Sequence, residues 1–373
     1  MGQSSRRFLN FHSGRAMPIQ AMPTQALPIQ TLPTYDDLYI RDTLDDTGKI
    51  PSGAATAYKS PDVVVWGTQT IPDPDIYLVE NYDTAWYRNV VVGEKNYIYC
   101  RATNLYPMSQ TGVLYLYYAP GGVMTDVGVW RNNQLSTAIP GQNYVKLDAR
   151  QPGAVVVGDT AFEWTPEQTG HYCFVAQITT LEHPNPLPQS FASTDEYYRW
   201  VIDNPAVAWR NVTVLDNLSP PQYQQDFGFQ NLDSFEREYI FLMTASGLPI
   251  GSLMAMFCAA LGPVPPIGIK QTSQLPNWSL TQTSWLPASF TAALTATVEL
   301  PAGAHWTGDM SVTIEAIAFM QPQDSDYLKS FARPVAELGI NAPNLTESGT
   351  VGLRLGSYTI QTMTEETLPA AAR

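Results

Sequence analysis

Gly170-His171-Tyr172-Cys173-Phe174-Val175-Ala176-Gln177-Ile178 is the stretch on which the fold turns. At period two it places Tyr172, Phe174, Ala176 and Ile178 on one face and Cys173, Val175 and Gln177 on the other, the pattern of a central sandwich strand. Immediately before it, Phe162-Glu163-Trp164 reads as a shorter strand closed by Thr165-Pro166. Working outward, Ser60–Trp66, Asn96–Thr103, Gly112–Ala119, Tyr144–Leu147, Ala154–Val157, Ala161–Trp164 and Ala206–Leu215 are short apolar or alternating runs separated by Gly, Pro and Asn turns. With no clear amphipathic helix among them, they predict an antiparallel sandwich of seven or eight strands.

Composition agrees. The chain has 373 residues, enough for two or three domains, with 44% hydrophobic and 11% aromatic residues. Its 30 prolines against 14% charged residues disfavour long solvated helices and favour strands and turns. A net charge of −14 excludes a nucleic-acid partner, because phosphate recognition needs a concentrated excess of Lys and Arg.

Cys100, Cys173 and Cys258 make no disulfide framework. Alternation places Cys100 with Ile98 and Ala102, whereas Cys173 lies opposite the face carrying Tyr172 and Phe174, which argues against a Cys100–Cys173 bridge. A one-residue bulge would reverse that facing.

Residues 1–59 read as an extended arm. Four pentads, Ala16–Gln20, Ala21–Gln25, Ala26–Gln30 and Thr31–Tyr35, repeat a Met or Leu followed by Pro. Each residue before a proline is driven to β or polyproline II backbone, and four pentads at ~3.1 Å per residue span about 60 Å. A bare spacer needs no apolar residue in every pentad, so Met17, Ile19, Met22, Leu27, Ile29 and Leu32 are candidate assembly contacts. Arg6 and Arg7 are followed by no apolar segment, so no signal peptide is expected: the protein is made in the cytoplasm and reaches the outside, if at all, with a particle or by a signal-less route. Asp36, Asp37, Asp42, Asp45 and Asp46 lack calcium-loop spacing and read as a solvated acidic loop.

Domain boundaries are expected at 60–218 and 223–365, with Pro220-Pro221 between them and a tail at 366–373. The second domain shows Phe227–Asn231, Glu238–Thr244, Ser252–Leu261, Ser289–Leu300, Met310–Phe319 and Thr350–Met363 as strands, again a sandwich. Tyr239–Ile269 carries no charge, but Gly247, Pro249, Gly251, Pro263, Pro265 and Pro266 divide it too finely for a membrane helix. It reads as two core strands around a turn.

The segments Ser60–Val65, Asn96–Asn104, Gly170–Ile178 and Val207–Val214 together resemble bacterial proteins with a CARDB-like, immunoglobulin-like domain. That resemblance covers about residues 60–216 and, more weakly, the second sandwich. It implies an extracellular or particle-borne binding and scaffolding role without catalytic residues to carry over. The chain departs from the pattern at Cys100, where an aliphatic residue is usual, and in its pentad arm.

Catalytic motifs are missing. His12, His171, His183 and His305 are scattered, with no metal-ligand spacing, and no nucleophile elbow or phosphate loop follows a strand. His171 beside Cys173 reads as strand packing, and Asp73-Pro74-Asp75 as a surface turn. The long excursion Leu181–Tyr198 is where binding is expected, with Tyr197, Tyr198 and Trp200 as a candidate aromatic surface for a glycan or a protein partner. The expectation is an all-β protein of two immunoglobulin-like antiparallel sandwiches behind a Pro-rich arm. It is a non-enzymatic structural or binding subunit without a cofactor or metal, forming protein contacts or homo-oligomers through the arm. The other readings are a cargo or toxin-associated protein of an injection system that meets membrane, and a carbohydrate-binding adhesion module.

Overall fold

The computed structural model describes residues 35–53, 56–86, 88, 90–120, 127–215, 222–261, 267–270, 277–307, 309–340 and 349–361. Contacts divide the chain into Met1–Leu32 and Pro33–Arg373, and every described residue belongs to the second unit. The candidate assembly residues Met17, Ile19, Met22, Leu27, Ile29 and Leu32 lie outside the described residues.

The fold is all-β, two sandwiches of antiparallel sheets with one parallel pair, Val90–Val91 beside Val207–Leu215, and a few short helices. The first sandwich comprises β1 (Leu38–Tyr39), β2 (Val63–Gly67), α1 (Pro74–Glu80), β3 (Val90–Val91), β4 (Asn96–Asn104), β5 (Gln110–Pro120), α2 (Val127–Asn132) and β6 (Ser136–Thr137). It continues through β7 (Val145–Ala149), β8 (Val155–Val157), β9 (Phe162–Trp164), β10 (Gly170–Thr179), α3 (Thr194–Ile202) and β11 (Val207–Leu215). One sheet gathers β1, β2, β8 and β9 around β4, with β6 beyond β9; the other runs β3-β11-β10-β5-β7.

The alternation of β10 is kept. Tyr172, Phe174, Ala176 and Ile178 enter the core between the two sheets, with Ile98, Cys100 and Phe162. Cys173 and Val175 enter a different core on the outer face, so a whole sheet separates Cys173 from Cys100, and both are free thiols.

The sequence expectation of an arm as far as residue 59 is corrected. Leu38 and Tyr39 pair with Asn104 and Thr103 of β4, which makes the segment an edge strand of the first sandwich. The solvated acidic loop is corrected as well, since Asp37, Asp42 and Asp46 are buried and hydrogen-bonded. Asp42 accepts the Ser52 hydroxyl at 2.6 Å, and burial holds its carboxyl well above the ordinary carboxylate range. Nearby, Arg41 grips Asp62 through Nε at 3.0 Å and Nη2 at 2.7 Å, while Arg101 approaches the same carboxylate at 3.2 Å. These three side chains are buried, and Arg101 spends its remaining donors on the carbonyls of Pro61, Leu78, Asn81 and Thr84.

The second sandwich is built from β12 (Gln222–Gln230), β13 (Arg237–Ser246), β14 (Leu253–Phe257), β15 (Ile267–Lys270), β16 (Asn277–Leu286), β17 (Thr291–Glu299), β18 (Ser311–Phe319), α4 (Asp326–Phe331), β19 (Arg333–Pro334) and β20 (Val351–Gln361). Its sheets run β12-β17-β14-β15 and β16-β13-β18-β20-β19. The uncharged Tyr239–Ile269 stretch supplies β13 to one sheet and β14 to the other, so its turn crosses between sheets. Gly247 makes that turn with φ +71°, and a Cβ there would lie 2.4 Å from the Asp309 carbonyl oxygen, which only glycine avoids. No helix among the described residues is long and apolar enough to cross a membrane.

The two sandwiches are fused. One apolar cluster runs from Cys173, Val175 and Trp209, through Tyr198 and Val201 of α3, to Phe241, Ile314 and Tyr358 of the second sandwich. Polar contacts stitch the same seam: Asn211 Nδ2 donates to the Ser357 carbonyl at 2.6 Å and Thr213 Oγ1 to the Thr359 carbonyl at 2.5 Å.

Candidate binding site

The outer face of β5 and β10 carries Tyr115 and Tyr117, with Gln177 paired across from Tyr115. The two tyrosine rings are 6.4 Å apart and tilted by 31°, and Tyr144 meets Tyr115 edge-on at 6.1 Å. Tyr117 donates its hydroxyl to Gln177 Oε1 at 3.2 Å, fixing the amide against the ring.

The excursion after β10 then folds back beside this face. Asn185 Nδ2 donates to the Ile178 carbonyl at 3.2 Å, its Oδ1 accepts from Asn204 at 2.9 Å, and Gln177 donates to its carbonyl. Arg131 of α2 donates to the carbonyls of Leu187, Pro188 and Gln189. The result is an open cleft of about 520 Å³ between the tyrosines and the Pro184–Leu187 wall. Its amides and rings suit stacking and hydrogen bonding to a polymer laid across them. Its lining residues are tyrosines, amides, prolines, Arg131, Thr179 and Leu187.

The sequence-predicted aromatic surface is corrected. Tyr197 and Tyr198 are 1% and 2% exposed, because the excursion ends in helix α3, whose Thr194, Tyr197, Tyr198, Val201 and Ile202 share one buried face. Tyr197 meets Trp209 edge-on at 5.4 Å, and the half-buried Trp200 stacks on Trp130 at 5.7 Å. The signal was present as Ser193-Thr194-Asp195-Glu196. Ser193 Oγ accepts from the Glu196 amide at 3.2 Å and the Glu196 carboxylate accepts from the Ala192 amide at 2.7 Å, a close variant of the capping box. Asp73 likewise caps α1 by accepting from the Ile76 amide at 3.3 Å, with Pro74 in the first turn, so the expected surface turn starts a helix.

His171 and Cys173 do approach each other. Nε2 lies 3.5 Å from Sγ, and Cys173 donates to Asn211 Oδ1 at 2.9 Å. Burial pushes the thiol up to about 12 and the imidazole down to about 3, so at neutral pH both are uncharged and no thiolate forms. Among the described residues no group of three or more His, Cys, Asp or Glu side chains is placed to hold a metal.

No known protein family matches the sequence, and no curated protein matches it. Among solved structures, the chain is similar to the Enterococcus faecalis MSCRAMM ACE, which binds its ligands by the collagen hug model. Identity is 12%, the match covers 74% of this chain and 93% of that one, and the TM-score is 0.18. It is also similar to the serine-rich repeat protein Srr2 from Streptococcus agalactiae, at 9% identity over 77% of this chain and 93% of that one, with a TM-score of 0.16.

Proposed function

We propose that the protein is a non-enzymatic structural and binding subunit of an extracellular or particle-borne bacterial assembly, with its N-terminal arm mediating contacts between copies. One observation carries this reading. The first sandwich presents a concave outer surface lined by tyrosine rings and amides, Tyr115, Tyr117, Gln134 and Gln177 among them. The resemblance of residues 60–216 to CARDB-like domains points the same way, toward scaffolding and recognition. Pro-rich pentads carrying Met or Leu suit repeated weak contacts that act together.

The test is mass photometry with negative-stain microscopy on the full chain and on a chain beginning at Pro33, which keeps β1. Ordered oligomers from the full chain alone support the reading; monomers from both chains overturn it.

A glycan-binding reading is favoured by the Tyr115–Tyr117 cleft, where ring faces and the Gln134 and Gln177 amides fit the apolar face and hydroxyls of a sugar. A glycan array with the Tyr115→Ala variant tests it: binding lost with Tyr115→Ala supports sugar recognition, and no binding by either protein overturns it.

A further inference from the structure

The cleft on the outer face of β5 and β10 has the chemistry of a proline-rich groove. Tyr115 and Tyr117 stand 6.4 Å apart, Tyr144 closes on Tyr115 at 6.1 Å, and Pro184, Pro186 and Leu187 line the cleft with them. A prolyl ring is a rigid apolar disc that packs on tyrosine faces. A polyproline II segment also carries unpaired backbone carbonyls, which amide and hydroxyl donors can meet. Gln134 and Gln189 supply such amides in the lining.

Charge narrows the occupant. Among the described residues that line the cleft, Arg131 alone is charged, and its guanidinium is turned to the carbonyls of Leu187, Pro188 and Gln189. Leu181, two residues beyond Thr179 of the lining, is 90% exposed. An uncharged, apolar and proline-bearing segment matches this surface. Residues 16–35 of the chain are such a segment, with Pro18, Pro23, Pro28 and Pro33 each preceded by Met or Leu and no charged residue among them.

The point at which the described chain begins bears on the same cleft. Residues 1–34 lie outside the described residues, and the ring of Tyr35 is 5.4 Å from that of His183. His183 Nδ1 lies 2.7 Å from Asp37 Oδ2, and the next residue, Pro184, is the first of the cleft wall. The described chain thus starts against the segment that builds the wall.

We infer that the Tyr115–Tyr117 cleft receives a Met-Pro or Leu-Pro pentad from residues 16–35 of a second copy, laid against the rings as polyproline II. The inference rests on the assembly reading and names the surface that receives the arm. Proline fixes the backbone before docking, so little ordering entropy is lost, and four equivalent pentads offer the cleft four registers. A docked pentad excludes a sugar from the cleft.

Photo-cross-linking of the full chain tests this, with Thr24→p-benzoylphenylalanine in an equal mixture of ¹⁵N-labelled and unlabelled copies. Mixed-isotope links should join residue 24 to the β5–β10 face or to residues 184–189, and Tyr115→Ala should lower their yield about tenfold. Excess peptide of residues 16–35 should compete the links away. The same peptide with Pro18→Ala, Pro23→Ala, Pro28→Ala and Pro33→Ala should compete about tenfold less well, a comparison that leaves the folded body unaltered. Links between copies that map elsewhere overturn the inference and leave the arm's part in assembly standing. Absence of mixed links overturns it whether or not mass photometry finds oligomers. Equal competition by the two peptides also overturns it, as does a sugar that binds the cleft on the glycan array without displacing the links.

Discussion

Tyr198 donates its hydroxyl to the backbone carbonyl of Arg354 across 2.5 Å, fastening α3 of the first sandwich to β20 of the second. The ring is buried, so Tyr198→Phe leaves that carbonyl without its donor. We expect a loss of about 1–2 kcal/mol in urea unfolding. Because one apolar cluster spans both sandwiches, tryptophan fluorescence and far-UV circular dichroism should report one coincident transition in the wild type. Two separated transitions would show the seam to be weaker than its packing implies.

Arg237 is the hub of the second sandwich. Its Nε donates to Asp233 at 2.8 Å, its Nη1 and Nη2 to Asp324 at 2.8 and 2.5 Å, and Nη1 also to the Phe319 carbonyl at 3.0 Å. Arg237→Lys loses the planar fork and leaves buried carboxylates underpaired. A destabilisation of about 3–5 kcal/mol is expected by equilibrium unfolding.

The first sandwich has its own hub in Arg41, Asp62 and Arg101. A chain beginning at Ser60 lacks β1 and Arg41, whereas one beginning at Pro33 keeps both. The shorter chain should lose cooperative thermal unfolding, and the longer one should retain it. Arg41→Ala in the full chain should cost about 3–5 kcal/mol by the same loss of a buried partner.

His171 gives stability a pH dependence of definite sign. Burial lowers its pKa to about 3 in the folded state, below the ordinary value of 6.5. Between those values the unfolded chain binds a proton that the native chain does not, so stability is full above pH 6.5 and falls as pH drops. The contribution is about 1.4 kcal/mol per pH unit in that window. Urea unfolding of wild type and His171→Gln between pH 5 and about 7 isolates it as a difference in slope; parallel slopes would show the ring to be solvated.

Cys100, Cys173 and Cys258 are free and buried, and burial pushes the Cys100 and Cys173 thiols up. Ellman's reagent should find no reactive thiol in the native protein and all three in urea. Fast labelling of Cys173 in native protein would contradict its burial as a neutral thiol.

The sequence by itself determined the strands and the faces they present. Alternation is carried by consecutive residues, so Tyr172 and Phe174 were separable from Cys173 and Val175 without knowing what covers either side, and the Cys100–Cys173 argument followed. The capping signal Ser193-x-x-Glu196 was also local, but it sits in a Pro- and Ser-rich stretch that resembles a loop until the buried face of α3 is seen.

Only the tertiary structure decided what lies against those faces. Asp42 reads as part of a solvated loop because isolated charges stay in water, and nothing local marks Asp62, Arg101 or Arg237 as core residues. They are buried because partners far away in the chain, such as Arg41 for Asp62 and Asp324 for Arg237, replace that water with hydrogen bonds. The Tyr115–Tyr117 cleft arises in the same way, from residues on separate strands and segments that folding alone brings together.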